Sequence, residues 1–301
     1  MRSTTLACIL LIVVGSVSLM AAQATAVQTH ADMGFIGGIF VFTTGVVIGA
    51  IGTLIGAGGG FIHVPVLMIF YGFSPQHAIG TSMAVVMLNA ISGTFAYVAQ
   101  KRIDYEIGLR FAVAACPGVV FGALLTRYFT VRGFGTAFGV LLILVSYYLF
   151  SGIELSVVRT KAAQAPKIRR LKDSTGEEYT YAPDMSVGFA ASIFIGKLSG
   201  LFGIGGGIIH VPLMYSVLGI PVHVATATSH FILAITSGLG FIVFVGLGYV
   251  DLNYAVALGV GTILGATWGA HLSLKTHPSV IKKMIAVCLT LLAVKLIMGA
   301  G

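Results

Sequence analysis

Long apolar runs separated by short polar interludes set the pattern of this chain. In its first part they fall at Gly34–Ile55, Phe61–Phe73, Gln76–Ala99, Ile107–Thr126 and Phe134–Phe150. A polar stretch follows at Glu154–Asp184. Five more runs come after it: Met185–Phe202, Ile208–Leu218, Val222–Gly246, Leu252–Leu274 and Ile281–Met298. About 17 to 25 apolar residues in a helix cross the hydrocarbon core of a bilayer, so most of these runs predict spanning helices. Phe61–Phe73 and Ile208–Leu218 are too short at about 1.5 Å per residue. They predict half-helices that begin inside the membrane. Residues 1–26 hold one early Arg, an apolar run from Leu6 to Met20 and then AAQA. That pattern suits a cleavable secretory signal or an uncleaved first helix, and both place Gln28–Asp32 outside the cytoplasm.

Composition removes the main alternatives. The 301 residues are 57% hydrophobic and 9% charged, against about 25% charged in soluble domains. Too little polar surface remains to clothe a water-soluble globule. A membrane barrel would show short alternating strands, which are absent, so the fold class is an all-α polytopic membrane protein. The net charge of +8 resides in short loops and the polar stretch, without the aromatic-interleaved basic face of a nucleic-acid binder. Cys8, Cys116 and Cys288 lie in apolar segments without metal spacing. All nine acids fall in loops, tails or the polar stretch, which argues against an intramembrane carboxylate relay. No cofactor is expected, and no Walker A sequence is present to support nucleotide-driven pumping.

The runs belong to a duplication. Gly56–Pro65 reads GAGGGFIHVP and Gly203–Pro212 reads GIGGGIIHVP, 147 positions apart. The same offset pairs Gly49 with Gly196, Thr81 with Thr228, Ser82 with Ser229, Gly93 with Gly240, Asp104 with Asp251 and Gly122 with Gly269. A gapless register over about seventy residues predicts two homologous units, residues 34–150 and 185–298, joined by a connector at 151–184 taken as a solvated loop. If the short segments count as crossings, each unit has five and the second is inverted. One face then collects Lys101, Arg102, Arg110 and the connector bases, and the other holds only Arg127 and Arg132. The excess of Lys and Arg on cytoplasmic loops favours this inverted scheme, with the mature N-terminus periplasmic and the connector cytoplasmic.

Glycine-broken segments at matching positions of two halves point to a transporter's binding site. A break inside hydrocarbon must be buried in protein or face a cavity, and a helix that begins there presents free N–H groups to an anion. Gly58, Gly59 and Gly60 are the first candidate cradle, and Gly205, Gly206 and Gly207 the second. Close helix packing is the alternative use of these glycines. His63 and His210 follow each cradle as candidate hydrogen-bond donors or charge carriers, with helix packing as their bland use. The next helices carry IGTSMAVVMLN and TATSHFILAIT. Ser82, Asn89, Ser229 and His230 on them are candidate oxyanion contacts, set against the commoner role of bridging helices. Lys197, whose counterpart is Ala50, is a candidate pathway cation.

Two copies of G-x-GGG-hydrophobic-hydrophobic-His-Val-Pro, each followed by a small-residue Thr-Ser helix, resemble the sulfite exporter TauE/SafE family of bacterial permeases. The resemblance spans about Phe35 to Met298 and implies movement of sulfur-containing anions such as sulfite, sulfonates or sulfoacetate across the bacterial inner membrane. Many members lack a long central connector. The expected function is therefore secondary transport of a small anion by alternating access, with no enzymatic activity. A passive anion channel is the first alternative. A His-based intramembrane metal enzyme is the second, weakened by the lack of carboxylate or cysteine partners at ligand spacing. The lipid bilayer is the expected surrounding, and homodimerisation through small-residue faces stays open.

Overall fold

The computed structural model describes residues 35–151, 168–272 and 278–299. The leader at 1–26 and the connector residues 152–167 lie outside the described residues. Ten helices are described: α1 Phe35–Ile55, α2 Gly60–Tyr71, α3 Pro75–Ala99, α4 Tyr105–Leu125, α5 Val131–Ser151, α6 Met185–Phe202, α7 Gly207–Pro212, α8 Val222–Gly246, α9 Leu252–Leu272 and α10 Pro278–Gly299. A π-helical turn at Leu213–Val217 prolongs α7. Seven of these helices (α1, α3, α4, α5, α6, α8 and α9) are long and apolar enough to cross a membrane. The short α2 and α7 stand where the two short apolar runs predicted them.

Packing interleaves the two halves. Helix α1 lies along α9 and α4 along α6, while α3 faces α8 and α5 faces α10. The first two pairs depend on bare backbone. A Cβ on Gly265 would strike the Val46 carbonyl, and one on Gly118 would strike the Ile193 carbonyl, contacts that repeat at the 147-residue offset. Such close approach is how helices associate without a hydrophobic driving force in lipid. Helices α3 and α8 run antiparallel: Gly80, early in α3, abuts Tyr249 just past α8, and Gly93, late in α3, abuts His230, early in α8. Helices α5 and α10 are antiparallel too, since Gly139 abuts Ile297 and Ser146 donates to the Ala286 carbonyl at 2.6 Å. Large apolar side chains such as Phe95, Phe121, Phe194 and Trp268 point outward, as a lipid-facing surface requires.

The connector corrects one expectation. Residues 169–181 are not a solvated loop but an antiparallel hairpin, β1 Arg169–Lys172 and β2 Glu178–Tyr181, with Leu171 opposite Tyr179 and Arg169 opposite Tyr181. Period-two alternation gives the hairpin one apolar face. Leu171, Tyr179 and Tyr181 pack with Ile107 and Phe111 of α4, Met214 of the π-helical turn and Val224 of α8. The short run of alternation was masked by the basic and acidic residues that flank it.

Candidate functional site

Each break is a run of glycines in the left-handed region: φ is 71° at Gly58, 78° at Gly59, 69° at Gly205 and 84° at Gly206. Glycine adopts these dihedrals without the Cβ clash that other residues meet, so the chain can reverse inside the bilayer and begin a new helix. The N–H groups of Ile62 and His63 return to the Gly59 carbonyl, and those of Ile209 and His210 to the Gly206 carbonyl. Among the described residues, the amides of Gly59, Gly60 and Phe61 find no backbone acceptor. Those of Gly206, Gly207 and Ile208 find none either.

The carbonyls of the breaks are satisfied by α3 and α8, the serines reaching across the halves and Asn89 and Thr236 staying within their own. Ser82 of α3 donates to the Gly203 carbonyl of the second break at 3.1 Å, and Ser229 of α8 donates to the Gly56 carbonyl of the first at 2.8 Å. The Asn89 amide donates to the Gly58 carbonyl at 2.8 Å, and Asn89 accepts from Thr53 at 2.7 Å. Thr236, the offset mate of Asn89, reaches the Gly205 carbonyl at 3.4 Å. Backbone freed inside hydrocarbon needs such partners. Ser82, Ser229 and Asn89 therefore lie at the breaks. Each serine has spent its single hydroxyl proton on the scaffold, and Asn89 keeps one N–H.

The three histidines differ. His63 is fully buried between α2 and α1, near Ile48 and Gly59, and neither ring nitrogen has a hydrogen-bond partner. His210 is buried too, but Nδ1 lies 3.2 Å from the Gly206 carbonyl and Nε2 3.3 Å from Ser192 Oγ. His230 sits edge-on to Tyr97 with centroids 5.3 Å apart, and both its nitrogens are also without partners. Lys197 is not brought to the breaks: its ammonium lies 5.0 Å from the Phe121 ring, and that ring is half exposed on the outer surface. Among the described residues no three His, Cys, Asp or Glu side chains gather into a metal-sized group.

Two residues at the centre carried no signal in the sequence. Val86 and Leu233, themselves 147 apart, stand between the breaks. A Cβ on Gly58 would lie 3.1 Å from Val86 Cγ1 and 3.3 Å from Leu233 Cδ2, and one on Gly60 would lie 2.9 Å from Val86 Cγ2. Both are apolar among apolar neighbours, so nothing but the offset could have marked them. With both glycine runs, His63, His210 and His230 all buried, the centre is shut from either face.

A paired arrangement of broken helices can now be set against known proteins. The model of the sulfite exporter TauE/SafE family matches residues 41–296. The chain belongs to the TauE/SafE family. The probable membrane transporter protein YunE of Bacillus subtilis is 36% identical over 266 residues, covering 86% of this chain and 97% of its own length. YdhB of the same organism, also a probable membrane transporter protein, is 29% identical over 81% of this chain and 92% of its own. YfcA of Escherichia coli, described in the same words, is 24% identical over 81% and 83% respectively. No solved structure matches the chain. This TauE/SafE protein is a multi-pass membrane transporter and not an enzyme.

Proposed function

We propose that this TauE/SafE protein is a secondary transporter that carries a sulfur-containing oxyanion or sulfonate through a central site by alternating access. The site comprises the amides of Gly59 and Gly60 and of Gly206 and Gly207, with Gly58 and Gly205 shaping the two turns and His63, His210 and His230 as imidazole contacts. The Gly58 N–H is already given to the Gly52 carbonyl at 3.1 Å. Ser82, Ser229 and Asn89 hold the cradle from behind and lend Asn89's remaining N–H. The observation that carries this reading is the twin break. Two buried helix starts with unpartnered amides meet across the antiparallel pair α3 and α8, and such ends favour anions. The halves, residues 34–150 and 185–298, act as inverted repeats. The antiparallel α3–α8 and α5–α10 pairs support this, as do the reciprocal bonds of Ser82 and Ser229. In a shut centre Val86 and Leu233 must move aside before an anion reaches the amides.

The same reading orients the chain in the bacterial inner membrane. Arg102, Arg169, Arg170 and Lys172 cluster at the end of the bundle that carries the hairpin, while Arg127 and Arg132 lie at the far ends of α4 and α5. The basic end is cytoplasmic on the positive-inside rule, which leaves the start of α1 periplasmic.

Uptake of labelled sulfite, sulfate, sulfoacetate and taurine into proteoliposomes tests the proposal. Saturable uptake of one sulfur anion, with counterflow when the same anion is loaded inside, is the expected result. Flux without saturation or counterflow identifies an anion channel. No flux of any of the four, with folded and inserted protein, overturns the sulfur-anion assignment.

A further inference from the structure

We propose that the hairpin Arg169–Tyr181 is a latch that ties the two halves together on the connector face, so that the central site opens toward that face only after the hairpin lets go. The inference rests on the alternating-access reading above, because a latch matters only where that face must open.

The hairpin touches both halves at once. Its apolar side packs on α4 of the first half and on the π-helical turn and α8 of the second. The end of that same face and the hairpin's turn grip the α3–α4 turn. Asp173 pairs with Arg102 at 2.7 Å with both side chains buried, and the Ser174 N–H donates to the Gln100 carbonyl at 3.0 Å. Arg169 pairs with Asp104 at 2.7 Å and also with Glu106, while the Tyr181 hydroxyl donates to Asp104 at 2.8 Å. Asp104 is the meeting point. Its carboxylate caps α4 through the Ile107 N–H, and its own N–H donates to Thr228 of α8.

The far face has the same joint without the latch. Asp251, the offset mate of Asp104, donates its N–H to Thr81 at 3.0 Å and caps α9 through the N–H groups of Asn253 and Tyr254. Among the described residues no cation or tyrosine reaches its carboxylate. One face is therefore fastened by the buried Arg102–Asp173 pair and the part-buried Arg169–Asp104 pair. The other has the shared helix joint and the ring contacts of Tyr71 and Phe73 with Tyr254 and of His77 with Tyr249, without an ion pair among the described residues. Buried pairs are costly to break from one side, because the abandoned charge stays desolvated. The fold thus biases the transporter toward closure on the connector face.

Labelling with a membrane-impermeant maleimide at the connector face of sealed vesicles tests the latch without using any transport substrate. The full chain, with its three native cysteines replaced by serine, carries a single reporter. Ala225→Cys lies beneath the hairpin, and Ala90→Cys lies beside Val86 and Leu233 at the centre; both positions are buried. Asp173→Asn and Arg169→Gln are expected to speed labelling at both reporters by at least about tenfold, the factor set by losing one charge-assisted bond. Faster labelling at Ala225→Cys with Ala90→Cys unchanged makes the hairpin a mere cover and overturns the latch. Rapid labelling of Ala90→Cys in the parent, or no change at either reporter, overturns it as well. Should the charge variants fail to fold, Tyr181→Phe removes one hydrogen bond and is expected to move both reporters in the same direction by less; unchanged labelling there also refutes the proposal. A protein that carries none of the tested anions would still give these labelling results, so failure of the substrate assignment stays separate from failure of the latch.

Discussion

In the second half His210 is held at both ring edges, by the Gly206 carbonyl and by Ser192; in the first half its mate His63 has no partner in place of Ser192. The cause is one position away from the chemistry. The residue matching Ser192 is Gly45, and a Cβ there would strike the Leu258 carbonyl where α1 and α9 lie closest. Ser199 likewise answers to Gly52, whose missing Cβ makes room for the Gly59 backbone. Duplication thus supplied two equal breaks, and helix packing then decided which histidine kept a serine neighbour. The same contrast recurs at the loops: Asp104 anchors a hairpin and Asp251 caps a helix. A two-fold scaffold need not hold two equivalent sites, and here each half carries an unsatisfied imidazole at a different position, His63 in the first and His230 in the second, while His210 is bonded.

The largest test of that contrast uses the two aspartates. Asp104→Ala strands Arg169 and Tyr181 and removes a helix cap, so it is expected to cost about 3 kcal/mol or more. Asp251→Ala removes a cap alone and is expected to cost about 1 kcal/mol. Thermal unfolding in one detergent measures both; equal losses would mean that the hairpin adds nothing to the first-half joint. The histidines come next. His63→Ala is expected to lower anion uptake about tenfold or more, the scale of one lost hydrogen bond to a charged group. His210→Ala should lower uptake by less, about threefold, because its ring is already bonded to Gly206 and Ser192, and should also cost about 1 kcal/mol of stability. Equal uptake losses would restore equivalence to the halves, and no loss in His63→Ala would return that ring to packing.

Much of this was legible beforehand, for reasons that differ residue by residue. Glycine runs in apolar sequence have few uses, so Gly58–Gly60 and Gly205–Gly207 announced the breaks, and the two short runs gave the half-helices their lengths. Loop charges favoured an inverted second half, a proposal that the antiparallel run of α3 and α8 supports. The partners were not legible. Ser82 and Ser229 share a spacing with the breaks, but only the fold reveals that each serves the carbonyl of the opposite half. Val86 and Leu233 look like any core residues. Lys197 stood out as a lone cation, yet its helix faces α4 there and its stem leads to Phe121. The hairpin hid because four-residue strands carry too little alternation to compete with a run of charges.

Smaller effects probe where the halves should agree. Ser82→Ala and Ser229→Ala each strip a buried carbonyl of its donor, and each is expected to cost about 1–2 kcal/mol. Because the two bonds are reciprocal, the losses should match; unequal values would show that the breaks are not supported alike.

The smallest effect is a flat response to pH at the hairpin. Burial opposes ionisation of Asp173, but hydrogen bonds from Thr175, Arg102 and the backbone of Thr175 and Glu177 outweigh it and hold the carboxyl well below the usual carboxylate range. A depressed carboxyl contributes stability that is present above its ordinary value and lost only as pH falls through the depressed one. Burial, reinforced by Glu177, pushes the Tyr179 hydroxyl up to about 12. A raised phenol contributes stability that is whole below its ordinary value of 10.0 and lost as pH climbs through the raised one. Neither group titrates near neutrality, so neither Asp173 nor Tyr179 should add a pH dependence to thermal stability between about pH 5 and 9. An absorbance titration of tyrosinate, with Tyr179→Phe subtracted from the parent, should place the missing phenol near 12. A midpoint at the ordinary value would put Tyr179 in water and the hairpin off the helix ends, and would leave the Asp104 loop as bare as the Asp251 loop.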